Sequence, residues 1–184
     1  MFKNTETHFG LMSIMLHWVS AVAVVGLFAL GYWMVDLTYY SSWYKTAPEL
    51  HKSVGVLLLL ATLARLFWRW SNPKPRGLAG HQAWEKTFGA AVHALLYLLL
   101  IAILCSGYLI STADGRGIMV FGLFELPSLG SLFNDQADLA GVTHQYLAYS
   151  LIALVGIHVL GAIKHHVIDK DSTLVRMVTI KEIK

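Results

Sequence analysis

Four long runs of apolar residues, separated by shorter polar segments, dominate the chain. The runs cover about residues 13–35, 52–69, 90–111 and 142–164. An α-helix needs about 20 apolar residues to cross the hydrocarbon core, and backbone groups in lipid have to be satisfied within the segment itself. The second run reaches that length if the long side chains of Arg65 and Arg69 extend towards one interface. The pattern therefore predicts four transmembrane helices.

The composition places the chain in a membrane. Hydrophobic residues make up 56% of the 184 residues and charged residues 14%, against about 25% charged residues in soluble domains. The mean hydropathy is +0.57. A chain of this size lacks the interior volume to bury so much apolar surface, so we expect membrane lipid as a partner and no nucleic acid. Cys105 stands alone, which excludes an intrachain disulfide. The sequence predicts one all-α domain over 1–184, a four-helix bundle.

The distribution of Lys and Arg predicts the orientation. If the N-terminus is inside, ten of these residues lie in inner segments and three in outer loops. The outer ones are Lys45, Lys52 and Arg116, and the inner ones are Lys3, Arg69, Lys74, Arg76, Lys86, Lys164, Lys170, Arg176, Lys181 and Lys184. We therefore expect a bacterial inner-membrane protein with both termini cytoplasmic. The first apolar run continues well past the cleavage-like Ala21-Val22-Ala23, which favours an uncleaved helix over a signal peptide.

Two segments outside the spans are partly apolar. The loop over about 111–141 contains Ile118, Val120 and Phe121, so we expect it to lie on the bilayer surface or to cover the outer end of the bundle. The tail over 167–184 is predicted to be interfacial, with a short helix capped by Asp171 or Ser172.

Nine histidines are unusual in so apolar a chain, and five of them fall in or beside the spans. Ionisable residues inside membrane helices are costly, which makes them candidates for function. His144 and His158 share the fourth helix and are 14 residues apart. At 100° and 1.5 Å per residue, their directions differ by about 40° and their heights by about 21 Å. That separation is too long for one metal ion and suits two large cofactors.

Depth in the membrane predicts a partner for each of these two residues. Helices that run in alternate directions put His17 at the inner depth of His158, and His51 at the outer depth of His144. A planar macrocycle held between two imidazoles is haem b chemistry, so we predict a bundle that encloses two haems. The chain has no Cys-x-x-Cys-His sequence for covalent attachment. A small residue follows each of the four histidines by four positions, namely Ala21, Gly55, Ala148 and Ala162.

Other polar residues near the spans have two interpretations each. Arg65 lies 14 residues after His51, so it either pairs with a haem propionate or anchors the helix at the inner interface. Lys52 has the same choice between a propionate and a lipid headgroup. His93 lies near the inner pair, where it would donate to a propionate or help to bind quinone. Lys164, His165 and His166 predict a solvated basic interface, and His81 is expected to be a loop residue.

These residues resemble the bacterial cytochrome b561 family over nearly the whole chain. The matching segments are Leu16-His17-Trp18, Glu49-Leu50-His51-Lys52-Ser53-Val54-Gly55, Arg65, Gly107-Tyr108 with Ser111, His144 with His158, and His165-His166 followed by 169–177. The resemblance is strongest to the branch encoded beside a periplasmic polyisoprenoid-binding protein. It implies four helices, two b haems ligated by His17, His51, His144 and His158, and ubiquinone as electron partner. One characterised member oxidises superoxide, so the resemblance also implies a candidate superoxide:ubiquinone oxidoreductase.

The working hypothesis is an electron-transfer cytochrome b. A one-electron donor, with superoxide as a candidate, reduces the outer haem at His51 and His144, and the electrons reach ubiquinone. Lys45, Lys52 and Arg116 are candidates for a local cationic approach in an otherwise acidic outer surface. Two alternatives stay open. One is a haem-binding anchor subunit of a dehydrogenase or hydrogenase, and the other is a metal transporter or structural bundle without haem.

Overall fold

The computed structural model describes residues 2–78 and 80–179, and four long helices account for most of them. The helices are α1 Leu11–Met34, α2 Thr46–Ser71, α3 Ala83–Thr112 and α4 Gln136–Val167. All four are long and apolar enough to cross a membrane, which confirms the prediction of four spans. The end of the expected tail, 180–184 with Lys181 and Lys184, lies outside the described residues.

Three helices begin several residues before the apolar runs do, and local sequence explains two of these early starts. Pro48 lies in the first turn of α2, where its missing N–H costs nothing because that turn has no acceptor for it. At the start of α3, the Gln82 side chain accepts from the backbone of the first turn, and Glu85 accepts from the Gln82 N–H at 2.9 Å. This capping box satisfies amide groups that would otherwise lack partners.

The helices alternate in direction, which gives the bundle two distinct ends. We call the end where α1 and α3 begin the lower end, and the opposite end the upper end. The most extensive contacts join α3 to α4 and α1 to α2. Leu58, Leu100 and Leu151 form the central core. Large apolar side chains elsewhere are exposed, such as Phe67 at 69% and Leu160 at 67%, as expected for helices that face lipid.

A small β-hairpin covers part of the upper end, which corrects the all-α expectation. Its strands are β1 Ile118–Val120 and β2 Phe124–Leu126, and they pair antiparallel. Ile118 and Val120 are buried against Val56 of α2. The three-residue loop 121–123 contains a β-turn closed by a hydrogen bond from the Leu123 N–H to the Val120 carbonyl at 2.9 Å. Both central residues of this turn, Phe121 (φ 49°) and Gly122 (φ 71°), have left-handed backbone, as in a type I′ turn. Of the two expected positions for this loop, the structure shows the one that covers the bundle.

The described residues after α4, 168–179, contain one 3₁₀ turn, Val175–Met177, where a short amphipathic helix was expected. Side chains tie this turn to the lower end. Trp18 Nε1 donates to the Met177 carbonyl at 2.7 Å, and Arg176 donates to the Arg76 carbonyl at 3.0 Å. The Asp171 side chain stabilises the backbone turn that follows it, because its Oδ1 accepts a hydrogen bond from the Thr173 N–H at 2.7 Å. The tail therefore packs on the bundle.

Gly122→Val should loosen the hairpin, since a β-branched residue in left-handed backbone costs about 1–2 kcal/mol. We expect limited proteolysis at 118–126 to become about 5–30-fold faster. Leu123→Val is the control, because Leu123 is 82% exposed and its φ is not positive. Equal cleavage rates for the two variants would contradict the assigned turn.

Candidate functional site

Four histidines meet as two ring pairs, one in each half of the bundle. His17 of α1 faces His158 of α4, with ring centres 6.2 Å apart and ring planes at 70°. His51 of α2 faces His144 of α4, with ring centres also 6.2 Å apart and ring planes at 69°. The structure thus brings together the residues that helix depth pairs in the sequence. Ligation of iron by these rings stays a prediction.

The separation of the ring centres suits a metal ion between the rings. A metal–imidazole bond is about 2 Å, and the ring centre lies about 1.1 Å behind the ligating nitrogen, so two opposed imidazoles have centres roughly 6.2–6.4 Å apart. Imidazole rings that pack face to face approach more closely, as the tilted rings of His81 and His165 do at 4.4 Å. Both pairs therefore have the spacing that a bis-histidine haem needs.

His144 has the hydrogen bonding of a metal ligand. Its Nδ1 lies 3.1 Å from the Ile103 carbonyl and 2.9 Å from Ser106 Oγ. Since the Ser106 hydroxyl donates its only proton to the Ile103 carbonyl at 2.8 Å, both neighbours of His144 Nδ1 act as acceptors, and Nδ1 carries the proton. An imidazole that donates from Nδ1 has its Nε2 lone pair free for a metal, and a backbone acceptor is a usual partner of ligating histidines.

His51 is held mainly by packing. Its Nδ1 is buried and has no hydrogen-bond partner among the described residues. Gly31 of α1 lies against the ring, so close that a Cβ there would lie 3.1 Å from His51 Cε1. Gly107 of α3 has the same relation to His144, at 3.2 Å from its Cε1. A glycine on a neighbouring helix therefore makes room for each upper ring. Neither contact follows from the spacing of residues along one helix, because each glycine lies on a different helix from its histidine. Gly107 was identified only as part of the family resemblance.

Arg65 contacts the lower pair directly. Its Nη2 donates to His17 Nδ1 at 2.9 Å, and its guanidinium lies 5.4 Å from the centre of the Tyr97 ring. Arginine can only donate, so Nδ1 accepts and the proton of a neutral His17 ring is on Nε2. Ligation through Nε2 requires the proton on Nδ1 instead. His17 can ligate iron only if Arg65 releases this hydrogen bond.

His93 of α3 lies beside the lower pair, 5.2 Å from the His158 ring centre. This distance is about 1 Å shorter than the separation of two imidazoles on opposite sides of one metal. His17, at 6.2 Å, has the better position to oppose His158. The geometry favours His93 as a neighbour of the site over His93 as a ligand.

Lys52 lies at the upper end, on the edge of an open cavity of about 540 Å³. Two acidic and two basic side chains line this cavity, namely Glu49, Asp114, Lys52 and Arg116. Arg116 Nε donates to Asp114 Oδ2 at 2.7 Å. The hydrogen bond from the Arg116 side chain lowers the pKa of Asp114, so this pair stays ionised at neutral pH. Formal charges in the cavity therefore balance, and Lys52 is the lining cation without such an ion pair among the described residues.

The lower end contains a second histidine cluster that sequence reasoning did not find. His81 Nε2 lies 2.7 Å from Asp171 Oδ2, and His165 Nδ1 lies 3.2 Å from the same oxygen. His81 lies in the loop before α3, as expected, whereas His165 contacts carboxylates and is partly shielded, which corrects the expectation of a solvated basic interface there. The residues come from three separate segments, and their spacing carries no local signal.

A bundle of membrane-length helices that presents facing pairs of buried histidines has the architecture of a membrane-bound b-type cytochrome. Comparison with known proteins agrees. The family model of prokaryotic cytochrome b561 matches residues 8–180. The chain therefore belongs to the prokaryotic cytochrome b561 family. It is an electron-transfer protein of the bacterial inner membrane that binds haem b. This membership favours haem over the alternative of a metal transporter or a haem-free bundle.

Three relatives cover most of the chain. Cytochrome b561 homolog 2 of Escherichia coli (strain K12) is 49% identical over 96% of this chain and 94% of its own length. The probable superoxide oxidase CybB of Yersinia pestis is 30% identical over 77% of this chain and 78% of its own. Cytochrome b561 homolog 1 of Escherichia coli (strain K12) is 25% identical over 92% and 96%.

Gly31→Val should disturb the upper pair, because the new side chain would displace the His51 ring from His144. We expect a lower ratio of bound haem to protein, measured from the absorption spectrum of the purified chain. Gly26→Val on the same helix is the matched control, since a Cβ at Gly26 meets no other heavy atom within 4 Å. An unchanged haem ratio in Gly31→Val would show that the close approach of α1 to His51 has no part in haem binding.

Proposed function

We propose that this protein carries electrons through two b haems between a one-electron donor at the upper end and ubiquinone in the bilayer. His51 and His144 hold one haem, and His17 and His158 hold the other. The observation that carries the proposal is the equal 6.2 Å separation of both ring pairs. The probable superoxide oxidase among the relatives makes superoxide the leading candidate donor.

The proposed orientation puts the upper end in the periplasm. The excess of Lys and Arg in the segments at the lower end supports it. With this orientation, the hairpin and the cavity beside Lys52 face the periplasm. A periplasmic polyisoprenoid-binding partner, which the resemblance implies, would meet the same end.

The chain's own residues orient the ligands and exclude water. Bound haem b supplies reversible one-electron chemistry at its iron. Ile103 fixes the His144 tautomer by accepting the Nδ1 proton at 3.1 Å, and the core around Leu58, Leu100 and Leu151 separates the two halves of the bundle by apolar side chains. Such surroundings set the dielectric and so tune the potential of each site.

Arg65 is proposed to change partners when the lower site is filled. Ligation through Nε2 puts a proton on His17 Nδ1, and the Arg65 guanidinium then loses its acceptor. A haem brings two carboxylates, which pair well with a guanidinium. Arg65 thereby becomes the propionate partner, which is one of its two interpretations from the sequence. Lys52 is the corresponding candidate at the upper site, where it shares the cavity edge with Glu49.

The electron balance defines the enzymatic reaction to be tested. Each superoxide anion gives up one electron and leaves as O₂, whereas ubiquinone takes two electrons and two protons to become ubiquinol. Two superoxide anions are therefore consumed per quinone. No acid–base side chain is needed at the donor end, because electron loss from superoxide releases no proton.

Stopped-flow mixing of the purified, haem-loaded chain with superoxide tests the proposed donor. We expect superoxide to reduce the haem, and added ubiquinone to be reduced at a rate well above the spontaneous one. Other one-electron reductants serve as the comparison panel. If only those reductants work, superoxide is not the donor. Activity of the chain alone would also argue against an anchor subunit, which needs an iron–sulfur partner protein.

His158→Ala tests the assignment of ligands. We expect bound haem to fall from two per chain to about one, with the upper site retained. His93→Ala is the matched control, since His93 lies beside the same site, and we expect it to keep both haems. Spectra and redox titration of the purified variants distinguish the two sites. Loss of a haem in His93→Ala, with none lost in His158→Ala, would reverse the assignment.

Lys52→Glu tests whether the upper cavity receives an anionic donor. The substitution makes the balanced charge of the cavity negative, so superoxide should react several-fold more slowly at low ionic strength and nearly normally at high salt. Lys45→Glu is the control, because Lys45 precedes α2 at the same end but does not line the cavity. Equal slowing in both variants would indicate a general charge effect and not this cavity.

A further inference from the structure

We propose that His81, His165 and Asp171 form a binding site for a divalent transition-metal ion at the lower end of the bundle, separate from the haem sites. His81 precedes α3, His165 lies in the last turn of α4, and Asp171 follows α4. One potential ligand atom from each residue lies within 4.8 Å of the other two. The cluster is partly shielded, with 18% of each side chain exposed.

The distances between the donor atoms are close to those of a metal site. A tetrahedral ion with bonds of about 2.0–2.2 Å holds its donors roughly 3.3–3.5 Å apart. Asp171 Oδ2 lies 2.7 Å from His81 Nε2 and 3.2 Å from His165 Nδ1. The two histidine donors lie within 4.8 Å of each other. Shifts of well under 1 Å for the two contacts of Asp171, and of at most about 1.5 Å for the histidine donors, would bring all three around one ion.

His165 indicates that hydrogen bonding alone does not satisfy the cluster. Its Nδ1 lies 2.7 Å from Asp169 Oδ2 as well as 3.2 Å from Asp171 Oδ2. Neither oxygen lies in the direction needed to accept a ring proton, so this buried nitrogen has no hydrogen-bond partner among the described residues. A buried polar atom without a partner is costly. A cation between the nitrogen and these oxygens would satisfy all of them.

Charge and access also favour a cation. Three carboxylates, those of Glu85, Asp169 and Asp171, and one ammonium group, that of Lys164, line the adjoining cavity. Lys164 contacts Glu85 and Asp169. If the histidines are neutral, these three carboxylates and one ammonium group together have a formal charge of −2. An open cavity of about 550 Å³ reaches His81 and Asp171 from outside the bundle. A divalent ion can enter without rearrangement of the helices.

The ligand types select the class of metal. Two imidazoles with one carboxylate suit zinc and neighbouring first-row metals, whereas magnesium and calcium prefer oxygen ligands only. Three protein ligands leave a fourth position for water. His165 follows His158 by seven residues on α4, so the two lie on about the same face and about 10.5 Å apart along the helix. The ion would therefore be distinct from any haem bound by His158.

Zinc titration of the full-length protein with both haem sites loaded tests the proposal. The protein is first treated with a chelator, bound zinc is counted by elemental analysis, and affinity is measured by calorimetry. We expect one zinc ion per chain that excess Mg²⁺ does not displace. Loading the haem first keeps His17, His51, His144 and His158 from contributing to the measurement.

His81→Gln and Asp171→Asn are the diagnostic variants. Glutamine can still donate a hydrogen bond to Asp171, and asparagine keeps the shape of the aspartate, but each removes a good zinc ligand. We expect each to weaken zinc binding by more than about 100-fold, because even the partners of ligands contribute about 10–100-fold. An unchanged haem spectrum in each variant shows that it is folded.

His166→Gln is the matched control, because His166 is adjacent on α4 but outside the cluster. We expect its zinc affinity to equal that of the unsubstituted protein. The proposal is wrong if the unsubstituted protein binds no stoichiometric zinc, or if His81→Gln and Asp171→Asn bind zinc as tightly as His166→Gln does.

Discussion

An imidazole inside the hydrocarbon core needs a partner for each of its two nitrogens, because no water is there to provide one. This constraint organises the bundle. His144 satisfies it through the Ile103 carbonyl and Ser106, and His17 through Arg65. His51 leaves its Nδ1 without a partner among the described residues. The nitrogen that remains on each ring is the atom that the proposed haem iron would bind.

The two halves of the bundle meet this constraint differently: the Nδ1 of His144 lies beside acceptors, whereas the Nδ1 of His17 lies beside a donor. The upper ring of His144 has its Nδ1 beside a backbone acceptor, so it is prepared for ligation as it stands. The lower ring of His17 accepts from a guanidinium, and the proposed ligation through its Nε2 would require that partner to be exchanged. Arg65 thus links the protonation of His17 to its own position.

The periodicity of the sequence was enough for the four helices and for the juxtaposition of the histidine pairs. Both follow from a rise of 1.5 Å and a turn of 100° per residue. The 14-residue spacing of His144 and His158 therefore gives the difference in their depth along the helix. The hairpin at Ile118 was not predictable, because three-residue strands have no visible period. The cluster of His81, His165 and Asp171 depends on how a loop and a tail fold back on α4, and no spacing in the sequence records that contact.

The two members of each histidine pair enter the membrane at different times during synthesis. α1 packs chiefly on α2, and α3 on α4, but each ring pair joins α4 to the first two helices. A nascent chain that has inserted α1 and α2 therefore presents His17 and His51 with neither counterpart, and stays so until the last helix enters the membrane. Under the proposed ligation, neither haem site is complete until α4 has entered the membrane, and each bound haem would then add a link between α4 and the first two helices.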